Sequence, residues 1–199
     1  GVSAITKSFR KFTQIFPNEE TETSILALLS GGLTDFLKEL NENNDIFPRL
    51  NLPATQLQMK CCADGVMRVF DRLRGKFVAF TPEEWVRQHF VANLVDNLGF
   101  PQGLLANEVS ITLNGTSRRC DTVLYSPQGL HPMAIIEYKA PHVAVSQKVF
   151  DQIVRYNMVL RVPWLFVSNG LSHYCCRVDY EGGRCHFLKD LPSYTDLEI

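Results

Sequence analysis

The segment AIIEYKAP, residues 134–141, constrains the fold of this chain more than any other. Ala134, Ile135 and Ile136 are apolar in succession, the pattern of a strand covered on both faces. Such a strand belongs inside a sheet with helices on its two sides. It then carries Glu137 and Lys139 with one residue between them. Alternate side chains of a strand share a face, so the two charges point the same way. Burying charge is costly unless it is paired, so the end of this strand calls for a chemical reason.

The flanking sequence predicts the elements around it. Thr81-Pro82-Glu83-Glu84 is a helix start, with Thr as N-cap, Pro at the first helical position and acids in the first turn. Val86, Phe90, Leu94 and Leu98 then mark one face, and Gly99 ends the helix. Three strands are expected next: 107–113, then 119–125 after the Asn114-Gly115 turn, then 133–139, which Pro141 stops. Residues 145–160 read as a second helix, with Val149, Ile153, Tyr156 and Val159 or Leu160 on one side. An apolar strand at 164–167, a Ser168-Asn169-Gly170 turn and short strands at 173–179 and 184–188 follow. Ahead of the first helix, 56–60 and 66–70 predict a short hairpin, followed by a strand at 76–80. The expected class is α/β (α+β), with the order helix, three strands, helix, strand in a mixed sheet flanked by helices. Trp85 and Trp164 read as core.

A length of 199 residues fits one domain with an appendage. Residues 1–47 read as an N-terminal helical extension, because 25–40 carries apolar residues at helical spacing, interrupted by Gly31-Gly32. Residues 48–199 form the main domain. A formal net charge of -1 excludes a global basic field, so any nucleic-acid site has to be a local patch. No apolar run approaches the roughly 18 residues of a membrane helix, so no membrane role is expected. The six cysteines include two adjacent pairs, Cys61-Cys62 and Cys175-Cys176, and no CxxC spacing. That usage predicts reduced thiols, no structural zinc and a cytoplasmic location.

A further acid gives Glu137 and Lys139 their meaning. Asp121 lies inside the strand pattern RRCDTVLY, residues 118–125, where Asp is disfavoured. Pairing of the two strands would bring Asp121 toward Glu137. Two neighbouring carboxylates repel, so either one takes up a proton or a cation sits between them. Carboxylate oxygens suit a hard cation such as Mg²⁺. A lysine beside it can orient or deprotonate a water, or steady a phosphate. Together these groups make an apparatus for metal-assisted phosphodiester hydrolysis. Arg118, Arg119, Lys148, Arg155 and Arg161 read either as a phosphate-binding patch or as solvated charges. His142 reads either as a DNA contact or as a solvated loop residue.

Five segments in this order resemble the PD-(D/E)xK nucleases, and more closely the N-terminal nuclease domain of type I restriction enzyme R subunits in a short stand-alone bacterial form. They are TPEEWVRQHF (81–90), RRCDTVLY (118–125), IIEYKAP (135–141), FDQIVRY (150–156) and SNG (168–170), within a region spanning about residues 50–194. The resemblance implies a restriction-endonuclease-like core and a Mg²⁺- or Mn²⁺-dependent DNA endonuclease. It implies Asp121 and Glu137 as metal ligands and Lys139 as the catalytic lysine. Glu84, chosen over Glu83, matches the further acid of the first helix, although acids in a first turn also serve as ordinary dipole partners. Gln152 and Tyr156 match a Gln-x-x-x-Tyr motif and equally suit packing on the sheet. Arg118, Arg119, His142, Lys148 and Arg155 are the candidate DNA contacts. Tyr138 departs from the small or aliphatic residue of the pattern and is expected to face away from Glu137, into packing. No P-loop occurs, so the chain carries no motor of its own, and motor or specificity subunits of a restriction system are the implied partners. Two rival readings stand beside the nuclease. One is a catalytically silent module of the same fold that binds DNA or a partner protein. The other is an assembly subunit that docks through residues 25–40.

Overall fold

The computed structural model describes residues 47–62, 66–113, 115–128 and 131–197. The helical extension expected at 1–47 lies outside the described residues except for Phe47. The fold is mixed α/β with two sheets. Strands β1 (Met59–Cys61), β2 (Met67–Asp71) and β3 (Lys76–Ala79) form a small antiparallel sheet. Helix α1 (Pro82–Asp96) follows, and then β4 (Leu105–Leu113), β5 (Thr116–Tyr125) and β6 (Pro132–Tyr138). Helix α2 (Gln147–Leu160) leads into β7 (Trp164–Ser168), β8 (His173–Asp179) and β9 (Arg184–Leu188).

Strands β4 to β9 lie side by side in chain order as one six-stranded sheet. Only β6 and β7 run parallel, because α2 carries the chain from one to the other. Neighbouring residues on the central strands go to opposite cores. Ala134, Ile136 and Tyr138 join Trp85, Val86, Phe90 and Leu94 of α1, while Ile135 joins Phe150 and Ile153 of α2. Trp164 and Phe166 likewise face α1, and Leu165 and Val167 face α2. This two-sided burial is why the central strands read as unbroken apolar runs.

Both helix starts follow their capping residues. Thr81 Oγ1 accepts from the Glu84 N–H at 3.1 Å, with Pro82 opening the helix. Ser146 Oγ accepts from the Val149 N–H at 3.4 Å, so α2 starts at Gln147, two residues later than its apolar pattern. The surroundings of α1 differ from its pattern more. Its periodicity predicts one buried face, yet every residue from Glu84 to Leu94 is buried, including Arg87, Gln88, His89 and Asn93. The six-stranded sheet covers one side. The segment from Phe47 and the small sheet cover another: Phe47 stacks on Phe80 at 4.5 Å, both meet Trp85 edge-on, and the Trp85 indole donates to the Pro48 carbonyl at 3.1 Å. All six cysteines are free thiols, as their usage predicts. No helix among the described residues is long and apolar enough to cross a membrane.

Candidate functional site

The β4–β5 hairpin changes face at one level. In a regular strand Cys120 and Thr122 would point the same way. Instead Cys120 enters the α2-side core, while the Thr122 hydroxyl meets Tyr138 on the α1 side. On β4, Leu105 enters the α1-side core and Val109 packs on the α2 side. The register pairs Asn107 with Thr122 and Val109 with Cys120, which leaves Glu108 opposite Asp121. Glu108 takes φ 58, a left-handed conformation that costs a side-chain-bearing residue roughly 1–2 kcal/mol. Irregularities of this kind re-aim side chains, and strain of this kind is held where surrounding contacts fix it. Here two acids, Glu108 and Asp121, are turned toward the N-terminus of α1.

Arg87 receives them. Its guanidinium is 2% exposed and touches four carboxylates. Nη1 lies 3.0 Å from Glu84 and 2.6 Å from Glu108, and Nη2 lies 3.3 Å from Asp121 and 3.7 Å from Glu83. Burial works against the charged guanidinium, but Glu84, Asp121 and Glu108 outweigh it and hold Arg87 above its ordinary value. Burial likewise works against the Glu108 carboxylate, and Arg87 and Arg119 outweigh it, so its carboxyl lies below the usual range.

Behind Arg87 the polar contacts close into a ring. Arg74 donates from Nη2 to Glu84 at 3.0 Å and from Nε to fully buried Asp71. Asp71 also accepts from the Asn107 amide at 2.8 Å and from the backbone N–H groups of Leu73 and Arg74. Burial opposes the Asp71 carboxylate, but these donors win and lower its pKa. The Thr122 hydroxyl donates to Asn107 Oδ1 at 2.6 Å, and the Tyr138 hydroxyl donates to Thr122 at 3.1 Å. The Tyr138 backbone N–H donates to Asp121 Oδ2 at 2.8 Å, which completes the circuit. Tyr138 is thus buried against Phe90 in the α1-side core, as expected for a packing residue, and it also carries two links of this ring.

The register Thr122↔Ile136 continued by one step sets Glu137 opposite Asp121 across β5 and β6. Glu137 is 6% exposed. Lys139 follows the last residue of β6, which ends one residue short of its predicted end, and the Lys139 backbone N–H donates to the Ser168 carbonyl at 2.9 Å. The Ser168-Asn169-Gly170 turn steadies the segment that follows: the Asn169 amide donates to the Val143 carbonyl at 2.9 Å. Of the two α1 acids, Glu83 feels the charges of Asp121 and Lys139, and Glu84 is taken up by other partners. The Glu84 oxygens accept from Arg74, Gln88 and Arg87 at 3.0, 2.8 and 3.0 Å. Glu83 is 45% exposed, and partial burial and the Asp121 carboxylate push its pKa up against the pull of Arg87 and Lys139. In a helix successive residues are turned apart, and the turn after β2 occupies the side on which Glu84 lies.

Of the expected DNA contacts, Arg119 is 70% exposed and paired with Glu108, and His142 and Lys148 are exposed before and at the start of α2. The side chains of Arg118, Gln152, Arg155 and Tyr156 lie outside the described residues. Sequence reasoning missed Glu108, Asp71, Arg74 and Asn107, and took in Arg87 only as a member of the segment 81–90. Charged and amide residues at a strand end, in a tight turn and within β4 gave no separate signal. Among the described residues, no three His, Cys, Asp or Glu side chains are grouped so as to hold a metal ion.

Comparison with known proteins adds a lineage to this geometry. A fragment of a putative HsdR subunit of a type I restriction enzyme from Vibrio vulnificus YJ016 is similar in structure, with 20% identity and a TM-score of 0.44 over 58% of this chain. The matched part spans 24% of that chain. No curated protein matches. Residues 82–192 match the family described as type I restriction enzyme R protein N terminus. That match begins on the first residue of α1, runs past β9 and contains Glu83, Arg87, Glu108, Asp121, Glu137 and Lys139. Since it takes in more than half of the sequence, the chain belongs to the family of type I restriction enzyme R protein N-termini.

Proposed function

We propose that this chain is a metal-dependent DNA endonuclease domain of the kind found at the N-terminus of type I restriction R subunits, and that α1, β4–β6, α2 and β7 are its PD-(D/E)xK core. The observation that carries the reading is the setting of Asp121 opposite Glu137, with Lys139 just past the strand end and Glu83 sharing the Arg87 guanidinium with Asp121. The donor chemistry fits a hard divalent cation, because every candidate ligand is a carboxylate. Asp121 and Glu137 would hold Mg²⁺ or Mn²⁺. Glu83 is better placed to assist than Glu84, whose oxygens already accept from three side chains. Bound there, the ion would polarise a scissile phosphate and offset charge on the leaving oxygen.

The chain's own groups supply the rest. Lys139 Nζ orients the attacking water and offsets negative charge as the phosphate is attacked. The Tyr138 N–H fixes Asp121 Oδ2. Arg119, His142 and Lys148, with Arg118 and Arg155, would meet the DNA backbone, and Gln152 and Tyr156 would stand at the site from α2. Motor and specificity subunits of a restriction system are the proposed partners.

A catalytically silent module that binds DNA or a partner protein is the second reading. The absence of a three-ligand group among the described residues and the tie between Asp121 and Arg87 favour it. Incubation of supercoiled plasmid and single-stranded DNA with Mg²⁺, Mn²⁺ or EDTA separates the two. The nuclease reading expects metal-dependent nicking that is lost in Asp121→Ala and Lys139→Ala proteins of unchanged fold. Full activity in either variant refutes the residue assignment. DNA retention without cleavage under every condition leaves two options, a nuclease that waits for a partner subunit or the silent module.

A further inference from the structure

We propose that Arg87 is the resident counter-ion of the carboxylate site, holding Asp121 while no metal is bound and yielding it when a divalent cation arrives. The inference rests on the metal reading above and adds the competitor that any cation has to meet. The two ends of the guanidinium are held unequally. Nη1 makes the short contacts, 2.6 Å to Glu108 and 3.0 Å to Glu84. Nη2 makes the long ones, 3.3 Å to Asp121 and 3.7 Å to Glu83. Glu84 is itself fixed by Arg74 and Gln88, and Arg74 by Asp71, so the Nη1 end is anchored from the β2–β3 turn. The exchangeable end faces Asp121 and Glu83.

Asp121 shows the same asymmetry. Oδ2 is fixed by the Tyr138 N–H at 2.8 Å, and Oδ1 has the long contact with Arg87. A cation can therefore take Oδ1 without moving the carboxylate or unseating Arg87 from Glu84 and Glu108. Without Arg87, the acids grouped around it would face one another in a partly dehydrated site, and their repulsion would be relieved only by protonation or by a metal. An arginine held by four acids lets the site form before metal binds and lowers the affinity of the metal that follows.

The test uses the full chain and Mn²⁺ alone, read as the rise in melting temperature and as heat in calorimetric titration. The wild type, Arg87→Met, Arg87→Lys and Asp121→Asn proteins are compared. The Arg87→Met protein is expected to melt below the wild type without metal and to reach half-saturation at about tenfold lower Mn²⁺, because one charged contact no longer competes. The Arg87→Lys protein guards against a variant that does not fold. Its single ammonium can remain between Glu84 and Glu108 but cannot also reach Asp121, so its half-saturation falls too. Asp121→Asn should remove the Mn²⁺ response. A merely structural arginine would lower the melting temperature and leave the half-saturation point where it was. Unchanged or weaker Mn²⁺ binding in the folded Arg87 variants overturns this proposal while the metal reading stands. No Mn²⁺ binding by the wild type overturns both.

Discussion

The buried histidine of α1 makes the stability of this fold depend on pH in a calculable way. His89 is 7% exposed, its ring lies 3.9 Å from that of Trp85, and its Nδ1–H donates to the Trp85 carbonyl at 2.8 Å. Burial pushes its pKa from 6.5 down to about 4, with the Trp85 carbonyl pulling weakly the other way. The unfolded chain therefore takes up a proton that the folded one refuses. For a depressed pKa the stabilising contribution is complete above the unfolded value and is lost as pH falls toward the folded one. Each pKa unit is worth about 1.4 kcal/mol, so the full contribution is about 3 kcal/mol, with about 2 kcal/mol of it gone at pH 5. Other groups also titrate on acidification. His173 is depressed by burial in the same sense, and Glu83, raised by burial and Asp121, runs in the opposite sense. Urea unfolding of the wild type and of a His89→Gln protein between pH 7.5 and 4.5 isolates the single group. The difference between the two proteins should shrink by about 2 kcal/mol from pH 7 to pH 5. A difference that stays flat over that window refutes the argument, because it would mean that His89 can be protonated without opening the helix.

Two further substitutions probe the elements that carry the site. Tyr138→Phe removes the hydroxyl that donates to Thr122 but keeps the ring against Phe90 and the backbone bond to Asp121, so chemical denaturation should show a loss of about 1 kcal/mol. No loss would mean that this link of the ring contributes nothing. Thr81→Ala removes the acceptor of the Glu84 N–H and should cost about 1 kcal/mol, while Thr81→Ser should stay near the wild type. Equal stability of the Ala and Ser proteins would show that another group caps α1.

What the sequence makes legible is whatever depends on local pattern. Thr81-Pro82-Glu83-Glu84 predicts the helix start, and the expected cap bond is present. The apolar run at 134–136 predicts a strand buried on both faces, and its residues divide between the two cores. What depends on a distant partner is not legible. Glu83 and Glu84 are adjacent acids in one turn. That Glu84 rather than Glu83 is drawn into the polar ring is decided in part by Arg74, a residue in a turn ten positions upstream. Arg87, Gln88 and His89 are polar, and the apolar spacing of α1 leaves them on its outer sides, yet all three are buried, Arg87 against Glu108 and Asp121 of the β4–β5 hairpin and Gln88 and His89 against neighbours on α1. Nothing in a glutamate announces φ 58, and without that twist Glu108 would not meet Arg87.

The structural unit of the site is consequently larger than the segment that identifies the family. The family match begins at residue 82, whereas Asp71 and Arg74 precede it. Removing them in thought exposes their role. The Asn107 amide, buried beneath the hairpin, would lose the Asp71 carboxylate it donates to, and Glu84 would keep only Gln88 and Arg87. Buried polar groups stripped of partners cost on the order of 1–3 kcal/mol each. The groups in question hold Thr122 and Arg87, the two contacts through which the rest of the ring reaches Tyr138 and Asp121. The acids that suit phosphodiester chemistry stand on α1 and on strands β4 to β6. The geometry that lets them stand close together without repelling each other apart comes in part from a three-stranded sheet ahead of them. The segment matched at residues 82–192 therefore carries the candidate chemistry, while one of the contacts that fixes Glu84, and through it Arg87, comes from outside that segment.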